Sequence, residues 1–429
     1  MKKIAFDTLG CKLNFAETAA IARRVEGFRQ VDIHDVADVY AINSCTVTAQ
    51  AEKKLRELVK RLKKRAPQSK IVVFGCYAQR APREVAAIPQ VDLVLGLHDK
   101  YHLNRYLPDL LAGRLSGIIE SRPDDKQIYL PAWSGPENRT RAFLKIQDGC
   151  DYLCSYCIIP AARGKGRNPT VESLVDQARQ LARQGIKEVI LTGVNIGTFR
   201  DGDRQFFDLI RALDKVEGIE RYRISSIEPN LLTDDIIRFV LRESRAFLPH
   251  FHIPLQSGCN DMLALMRRRY RREVHREKVE KIKALDPDAA VGADVIVGFP
   301  GETEAHFEAT YRFLKESPVT YLHVFSYSDR PGTDASRLSG KVPGAEKKRR
   351  SRLLRELSQR KTALFVQSQL GRVRPVLFER KVKDGMLSGW TDNYIQTVVP
   401  YREGLSGRIA DTELNAFEQG VVYGKIMRL

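Results

Sequence analysis

Through its first 110 residues the chain alternates two kinds of hydrophobic pattern. Short runs that are apolar throughout, or at every second position, fall at Lys3–Thr8, Asp38–Asn43, Lys70–Gly75 and Asp92–Gly96 and predict strands. Between them, apolar residues return every three or four positions at Phe15–Glu26, Gln50–Arg65, Pro82–Ala87 and His98–Leu111, which predicts helices. Strand and helix taking turns imply a parallel sheet, doubly wound with helices on both faces. The rhythm breaks over Ser121–Thr140, where Pro123, Pro131, Gly135 and Pro136 mark a linker.

From Arg141 the alternation resumes. Strands are predicted at Ala142–Gln147, Glu188–Thr192, Arg221–Ser225, Phe251–Pro254, Gly292–Val297 and Tyr321–Ser326. Helices fit Val171–Arg183, Phe206–Val216, Thr233–Arg242, Asp261–Arg268, Glu273–Leu285 and Glu304–Glu316. Six such units predict an incomplete (β/α) barrel with its chemistry at the C-terminal strand ends. A basic helical run, Ala345–Gln367, leads into short strands divided by Gly and Pro: Val373–Glu379, Met386–Trp390, Ile395–Pro400, Gly407–Asp411 and Val422–Met427. That pattern predicts a small β-barrel, a module that often binds nucleic acid. The expected fold class is α/β, with a doubly wound parallel sheet, an incomplete (β/α) barrel and a small β-barrel in that order.

Charge adds a partner. The net charge is +18, and it is concentrated: residues 52–65 hold eight Lys/Arg against two Glu, 265–283 nine against three, and 341–365 nine against two. One such run is usually a solvated helix face; three on one chain point towards a polyanion, since each neutralised phosphate releases counterions. No apolar stretch approaches the roughly 18 residues of a membrane span. Met1-Lys2-Lys3 runs straight into the first strand with no apolar signal core, so a cytoplasmic protein is expected. Seven cysteines, in a chain of 429 residues, do not suit a disulfide scaffold and are better read as ligands.

Cys150, Cys154 and Cys157 stand as C-x-x-x-C-x-x-C just after the strand Ala142–Gln147. Three thiolates on so short a loop can hold three corners of an iron–sulfur cubane and leave the fourth iron open. Structural zinc normally takes four ligands in paired knuckles, and no fourth Cys or His lies in this loop. Cys11, Cys45 and Cys76 each follow one of the first three predicted strands. In a parallel sheet those ends share an edge where ligands bind, so the three thiols are expected to converge on a second cluster. For any one of them alone, a small buried hydrophobe would be the ordinary reading. Cys259 stands alone and is read as structural.

The cysteine loop, with Tyr156 before its last cysteine, resembles the radical-SAM superfamily. Wider wording resembles the methylthiotransferase family of radical-SAM enzymes over essentially the whole chain. It includes Thr8-Leu9-Gly10-Cys11-Lys12-Leu13-Asn14, Ile42-Asn43-Ser44-Cys45-Thr46, Gly75-Cys76-Tyr77-Ala78-Gln79 and Val297-Gly298-Phe299-Pro300-Gly301-Glu302-Thr303. Thr192-Gly193-Val194-Asn195-Ile196-Gly197 and Met266-Arg267-Arg268-Arg269-Tyr270 are most similar to the MtaB-type branch. Ser44, where Thr is commoner, departs from the pattern without touching the neighbouring thiol.

The resemblance implies three domains: 1–115 with an auxiliary cluster, 139–366 as the radical-SAM domain, and 367–429 as an RNA-binding TRAM domain. It implies two [4Fe-4S] clusters, one on Cys11, Cys45 and Cys76 and one on Cys150, Cys154 and Cys157, the second set also catalytic. S-adenosyl-L-methionine would bind near Tyr156, Gly193 and Asn195, serving as methyl donor and radical source. The implied reaction is methylthiolation of carbon 2 of N6-threonylcarbamoyladenosine beside a tRNA anticodon. The implied partners are the anticodon stem-loop and an electron-donor protein such as flavodoxin or ferredoxin, the chain acting as a monomer. An isopentenyladenosine substrate, a ribosomal-protein aspartate, and a non-catalytic iron–sulfur RNA-binding role stay open.

Overall fold

The computed structural model describes residues 1–120, 131–134 and 140–428. The expected linker Ser121–Thr140 falls largely outside them. The first unit is one parallel sheet of six strands: β1 Lys2–Thr8, β2 Phe28–Val31, β3 Val39–Ser44, β4 Lys70–Gly75, β5 Leu93–Leu95 and β6 Gly117–Ile119, in spatial order β2-β1-β3-β4-β5-β6. Helices cover both faces, which is why all six residues of β3 are buried and carry no alternation. Two strands escaped the sequence reading. β2 and β6 are edge strands of four and three residues, only partly buried, too short for any period to register. β6 also carries the sheet to Ile119, past the expected domain boundary at 115.

The helix Ala49–Arg65 shows what its basic run is for locally. Thr48 caps it by accepting from the Ala51 amide, and Leu55, Leu58, Val59 and Leu62 face the sheet while Lys53, Lys54, Lys60 and Arg61 face solvent.

The second unit is the incomplete barrel. Its strands are β7 Arg141–Lys145, β8 Glu188–Thr192, β9 Arg221–Ile224, β10 His250–His252, β11 Ala290–Val297 and β12 Tyr321–Ser326. They form two parallel three-stranded sheets, β9-β8-β7 and β10-β11-β12, joined by a bridge between Tyr222 and Phe247. Alternate residues (Ala142, Leu144, Val189, Leu191, Tyr222, Phe251, Val291, Ala293, Leu322) pack outward against the helices in one core. The expected helix Thr233–Arg242 is α only over Asp234–Arg238 and then widens into a π turn at Phe239–Glu243.

The third unit is a closed five-stranded barrel: β13 Val373–Lys383, β14 Met386–Thr391, β15 Gln396–Pro400, β16 Ile409–Glu418 and β17 Val421–Arg428, in order β13-β14-β15-β17-β16. It docks at the N-terminal ends of the (β/α) strands. Arg221 donates to the carbonyls of Trp390 and Pro375, and Arg223 to those of Thr391 and Asp392. Tyr394, held at a φ of 69°, stacks between His250 at 4.2 Å and Trp390 at 4.7 Å. The connecting helix is Gly344–Gln367, close to the expected span, but its basic run is not all solvent-facing. Arg350 is buried and paired with Glu302, Glu304 and Glu346, and Arg349 with Glu304 and Glu346.

Candidate active site

Cys150, Cys154 and Cys157 meet in the loop that leaves β7. Gly149 makes the turn possible: at its φ of 69°, a Cβ would lie 1.9 Å from the Lys165 carbonyl oxygen. The sulfurs are close enough that each charged thiolate would raise the cost of ionising the next. Donors are aimed at them. The Tyr152 amide donates to Cys150 Sγ at 3.3 Å, the Ile159 amide to Cys157, and Arg268 Nη1 to Cys154 Sγ at 3.2 Å. Burial pushes all three thiols up, Cys157 to about 12, so without a cation they stay protonated. Three half-buried thiols with N–H groups directed at their sulfurs suit thiolates on a positively charged metal cluster.

The other candidates surround this loop. Tyr156 accepts from Arg268 Nη1 at 3.3 Å, meets Phe299 edge-on, and lines a cavity of 180 Å³ with Cys157, Gln256, Asp294, Ile296 and Phe325. Gly193 lies so close to the loop's base that a Cβ would stand 2.9 Å from the Gln147 carbonyl oxygen. Asn195 is buried and hydrogen-bonds Cys150, while its Oδ1 has no hydrogen-bond partner among the described residues. An orphaned buried acceptor beside the triad suits a ligand that brings donors, such as the amino group of S-adenosylmethionine.

The second set converges as expected. Cys11, Cys45 and Cys76 follow β1, β3 and β4, which are neighbours in the sheet. Cys45 and Cys76 are buried and Cys11 is exposed. Burial, then the neighbouring thiols, push Cys45 up to about 12, and the Val47 amide donates to its sulfur. At Gly10, a Cβ would meet Cys45 Cβ at 2.8 Å, so glycine there lets the first and second cysteines approach. The donor set again fits a cluster. Cys259, by contrast, is packed among Met262, Met266 and Phe299, the structural place expected for it.

Residues that the sequence reading passed over hold the two sets together. Arg163 Nε donates to Cys76 Sγ at 3.2 Å, while its other nitrogens bind Glu17 at 3.0 Å, Asp148 at 2.9 Å and Asn14 at 2.8 Å. Glu17 also pairs with Lys100 at 2.7 Å and Lys145 at 3.3 Å. Despite full burial, which alone would raise it, these cations hold the Glu17 carboxyl well below the usual range, Arg163 most strongly. One signal was available: Glu17 sits on the helix stripe of Leu13, Ala16, Ala20 and Ile21, where an apolar residue belongs. Gln147 joins the cysteine loop to the Gly193 loop, accepting from the amides of Val194 and Asn195 at 2.9 Å each. Arg268, which touches Cys154, is anchored by Glu228 and Tyr270.

Below the triads lies the barrel lumen. The residues alternating with the outward core line it: Arg141 and Lys145 on β7, Glu188 on β8, Arg221 and Arg223 on β9, His250 and His252 on β10, Asp294 on β11, Tyr321 and His323 on β12. Tyr321 lies across Gly292, where a Cβ would meet its ring at 2.1 Å. Its hydroxyl joins His250 at 2.8 Å and His252 at 3.2 Å, and Asp294 accepts from His252 at 2.8 Å with His323 at 3.4 Å. Lys12, next to Cys11, is solvent-exposed yet lies within electrostatic reach of Arg223, Arg141, Glu188 and Asp294, so its side chain faces the lumen.

Known proteins resemble this chain in sequence and fold. Residues 144–314 match the family model described as the radical SAM superfamily, and residues 3–96 that of the uncharacterized protein family UPF0004. The threonylcarbamoyladenosine tRNA methylthiotransferase MtaB of Bacillus subtilis (strain 168) is 40% identical over 96% of this chain and 94% of its own length. The protein of the same name from Aquifex aeolicus (strain VF5) is 39% identical over 92% and 95%. A tRNA-2-methylthio-N(6)-dimethylallyladenosine synthase of that organism is 34% identical over 91% and 90%. The radical S-adenosylmethionine methyltransferase TsrM from Kitasatospora setae shares the fold, with a TM-score of 0.57 at 13% identity over 78% of this chain and 77% of that one. Near-full-length similarity to these relatives and two cysteine triads at neighbouring strand ends agree: the chain belongs to the methylthiotransferase family of radical-SAM enzymes.

Proposed function

We infer that this chain methylthiolates carbon 2 of N6-threonylcarbamoyladenosine next to the anticodon of tRNA. The observation that carries the reading is Arg163 tying Cys76 of one cysteine set to Asp148 at the base of the other set's loop, in a chain 40% identical to a relative named for that activity. Two [4Fe-4S] clusters and S-adenosylmethionine supply, when bound, the radical that attacks an aromatic C–H and the sulfur and methyl that replace the hydrogen.

The residues' own parts follow from their places. Cys150, Cys154 and Cys157 hold the cluster that meets S-adenosylmethionine; Cys11, Cys45 and Cys76 hold the one that carries sulfur. Tyr156 walls the cofactor cavity, Gly193 keeps the loop beneath it close, and Asn195 offers the unsatisfied acceptor. Arg163 and its carboxylates fix the distance between the two sets. The target base reaches them splayed out of the anticodon loop, as unstacked RNA bases can be.

The division that suits this reading is 1–115 (running on to Ile119), 139–366 and 367–429, the last contacting RNA. The reducing electron comes from outside. Exposed Leu153 in the cysteine loop, with exposed Arg269 lying over the neighbouring Tyr152 ring, suits an acidic donor such as flavodoxin or ferredoxin. No helix among the described residues is long and apolar enough to cross a membrane, and a monomer in the cytoplasm fits a tRNA substrate.

The test offers anticodon stem-loops bearing threonylcarbamoyl or isopentenyl adenosine to the reconstituted enzyme and weighs the nucleoside products. Preferential methylthiolation of the threonylcarbamoyl form is expected. Preference for the isopentenyl form would overturn the substrate and spare the reaction type.

A further inference from the structure

The lumen gathers several cations, and nearly all are already satisfied by protein. Arg141 pairs with Glu379 at 2.8 Å and lies against Trp390. Arg221 is bonded to backbone carbonyls, and Arg223 to Glu188 and backbone carbonyls. Lys145 pairs with Glu17 and Asp148. Lys12 differs. Among the described residues its ammonium makes no hydrogen bond or ion pair, although this solvent-exposed side chain lies within electrostatic reach of Arg141, Glu188, Arg223 and Asp294, which stand on four different barrel strands.

The acids of the lumen do not claim it either. Glu188 is held by Arg223 at 3.2 Å, and Asp294 by His252 and His323. A cation kept without a partner in a solvated hollow walled by protein is a site for an anion, because attraction there is stronger than in bulk water.

The methylthiolated base supplies such an anion. Its threonyl arm ends in a carboxylate, and the arm leaves the adenine ring one atom away from carbon 2, on the other side of N1. Lys12 directly follows Cys11, so a base presented to the sulfur-bearing triad brings its arm within reach of this side chain.

We propose that Lys12 binds the carboxylate of the threonylcarbamoyl arm and thereby sets the enzyme's choice of modified base; this rests on the substrate reading given above. An isopentenyl arm is apolar and uncharged. It would strip water from Lys12 and give nothing back, which selects against it.

The test compares a stem-loop carrying threonylcarbamoyladenosine with the same stem-loop carrying its methyl ester, which keeps shape and loses the charge. Wild-type enzyme should favour the acid. Lys12→Met should raise KM for the acid about tenfold, the size of one charge-assisted contact, with the ester's KM moving little. Lys12→Arg should restore the preference, and iron content should match wild type in both variants. Three results would overturn the proposal: no acid-over-ester preference in wild type, the preference surviving in Lys12→Met, or equal loss on acid and ester. Wild type choosing the isopentenyl stem-loop would instead bring down the substrate reading itself.

Discussion

Arg163 Nε donates to Cys76 Sγ at 3.2 Å, joining a residue six positions past the radical-SAM cysteine loop's last ligand candidate, in its short helix Ile159–Arg163, to a thiol of the N-terminal sheet. The same guanidinium bonds Glu17 on one side of the domain junction and Asp148 on the other. It therefore both offsets the charge expected on Cys76 and holds the two cysteine sets at a fixed separation. Arg163→Met leaves Glu17 and Asp148 short of a buried partner. Breaking a buried pair this way costs about 3–5 kcal/mol. Urea unfolding should show that loss, and iron content should fall towards one cluster per chain.

The two cysteine sets should fail differently. Cys150→Ala should remove one cluster and end reductive cleavage of S-adenosylmethionine. Cys11→Ala, Cys45→Ala or Cys76→Ala should keep cleavage and stop methylthio transfer. Iron analysis, Mössbauer spectra and product mass separate these outcomes. A variant of the second group that makes methylthio product at the normal rate would remove those thiols from sulfur donation.

Much of this site could be read along the chain because its ligands are local or topological. Cys150, Cys154 and Cys157 are neighbours in sequence, and Cys11, Cys45 and Cys76 converge because strand ends in a parallel sheet share an edge. Arg163, Gln147, Arg268 and Lys12 were not legible as site residues. Arg163 meets Asn14 149 positions away, Gln147 meets Val194 47 away and Arg268 meets Cys154 114 away, while Lys12 meets no partner among the described residues, and no periodicity encodes such relations. The same limit hid how the small β-barrel docks: Tyr394 meets His250 through a turn conformation that tertiary packing enforces.

That docking should loosen in mild acid. Burial, with Arg223 and His252 nearby, holds His250 well below its ordinary 6.5, and burial holds His275 at about 4. Both stay neutral in the folded protein while the unfolded chain takes up protons. Their contribution to stability is therefore complete above pH 6.5 and is lost as pH falls below it, towards 4 for His275. Thermal unfolding from pH 7.5 down to 5 should show Tm falling from about 6.5. His250→Phe should flatten the upper part of that fall. An unchanged slope in this variant would shift the acid sensitivity to other groups.

The basic connecting helix should divide its charges between structure and RNA. Arg350 is buried against Glu302, and Arg349 is tied to Glu304 and Glu346, so these two brace the helix against the barrel. Lys348, Arg352 and Arg355 are exposed on the same helix, and the available acid near Arg352, Glu356, stands at 3.9 Å in a solvent-exposed pair that counts for little. Arg350→Ala should lower Tm. Lys348→Ala, Arg352→Ala and Arg355→Ala together should leave Tm unchanged and weaken tRNA binding. The loss should be similar for cognate and non-cognate tRNA, because phosphate contacts position without reading sequence. The slope of log affinity against log salt should become shallower by about one for each cation that meets a phosphate. Filter binding from 50 to 300 mM salt measures both quantities. Wild-type affinity and slope in the triple variant would place the RNA on another face.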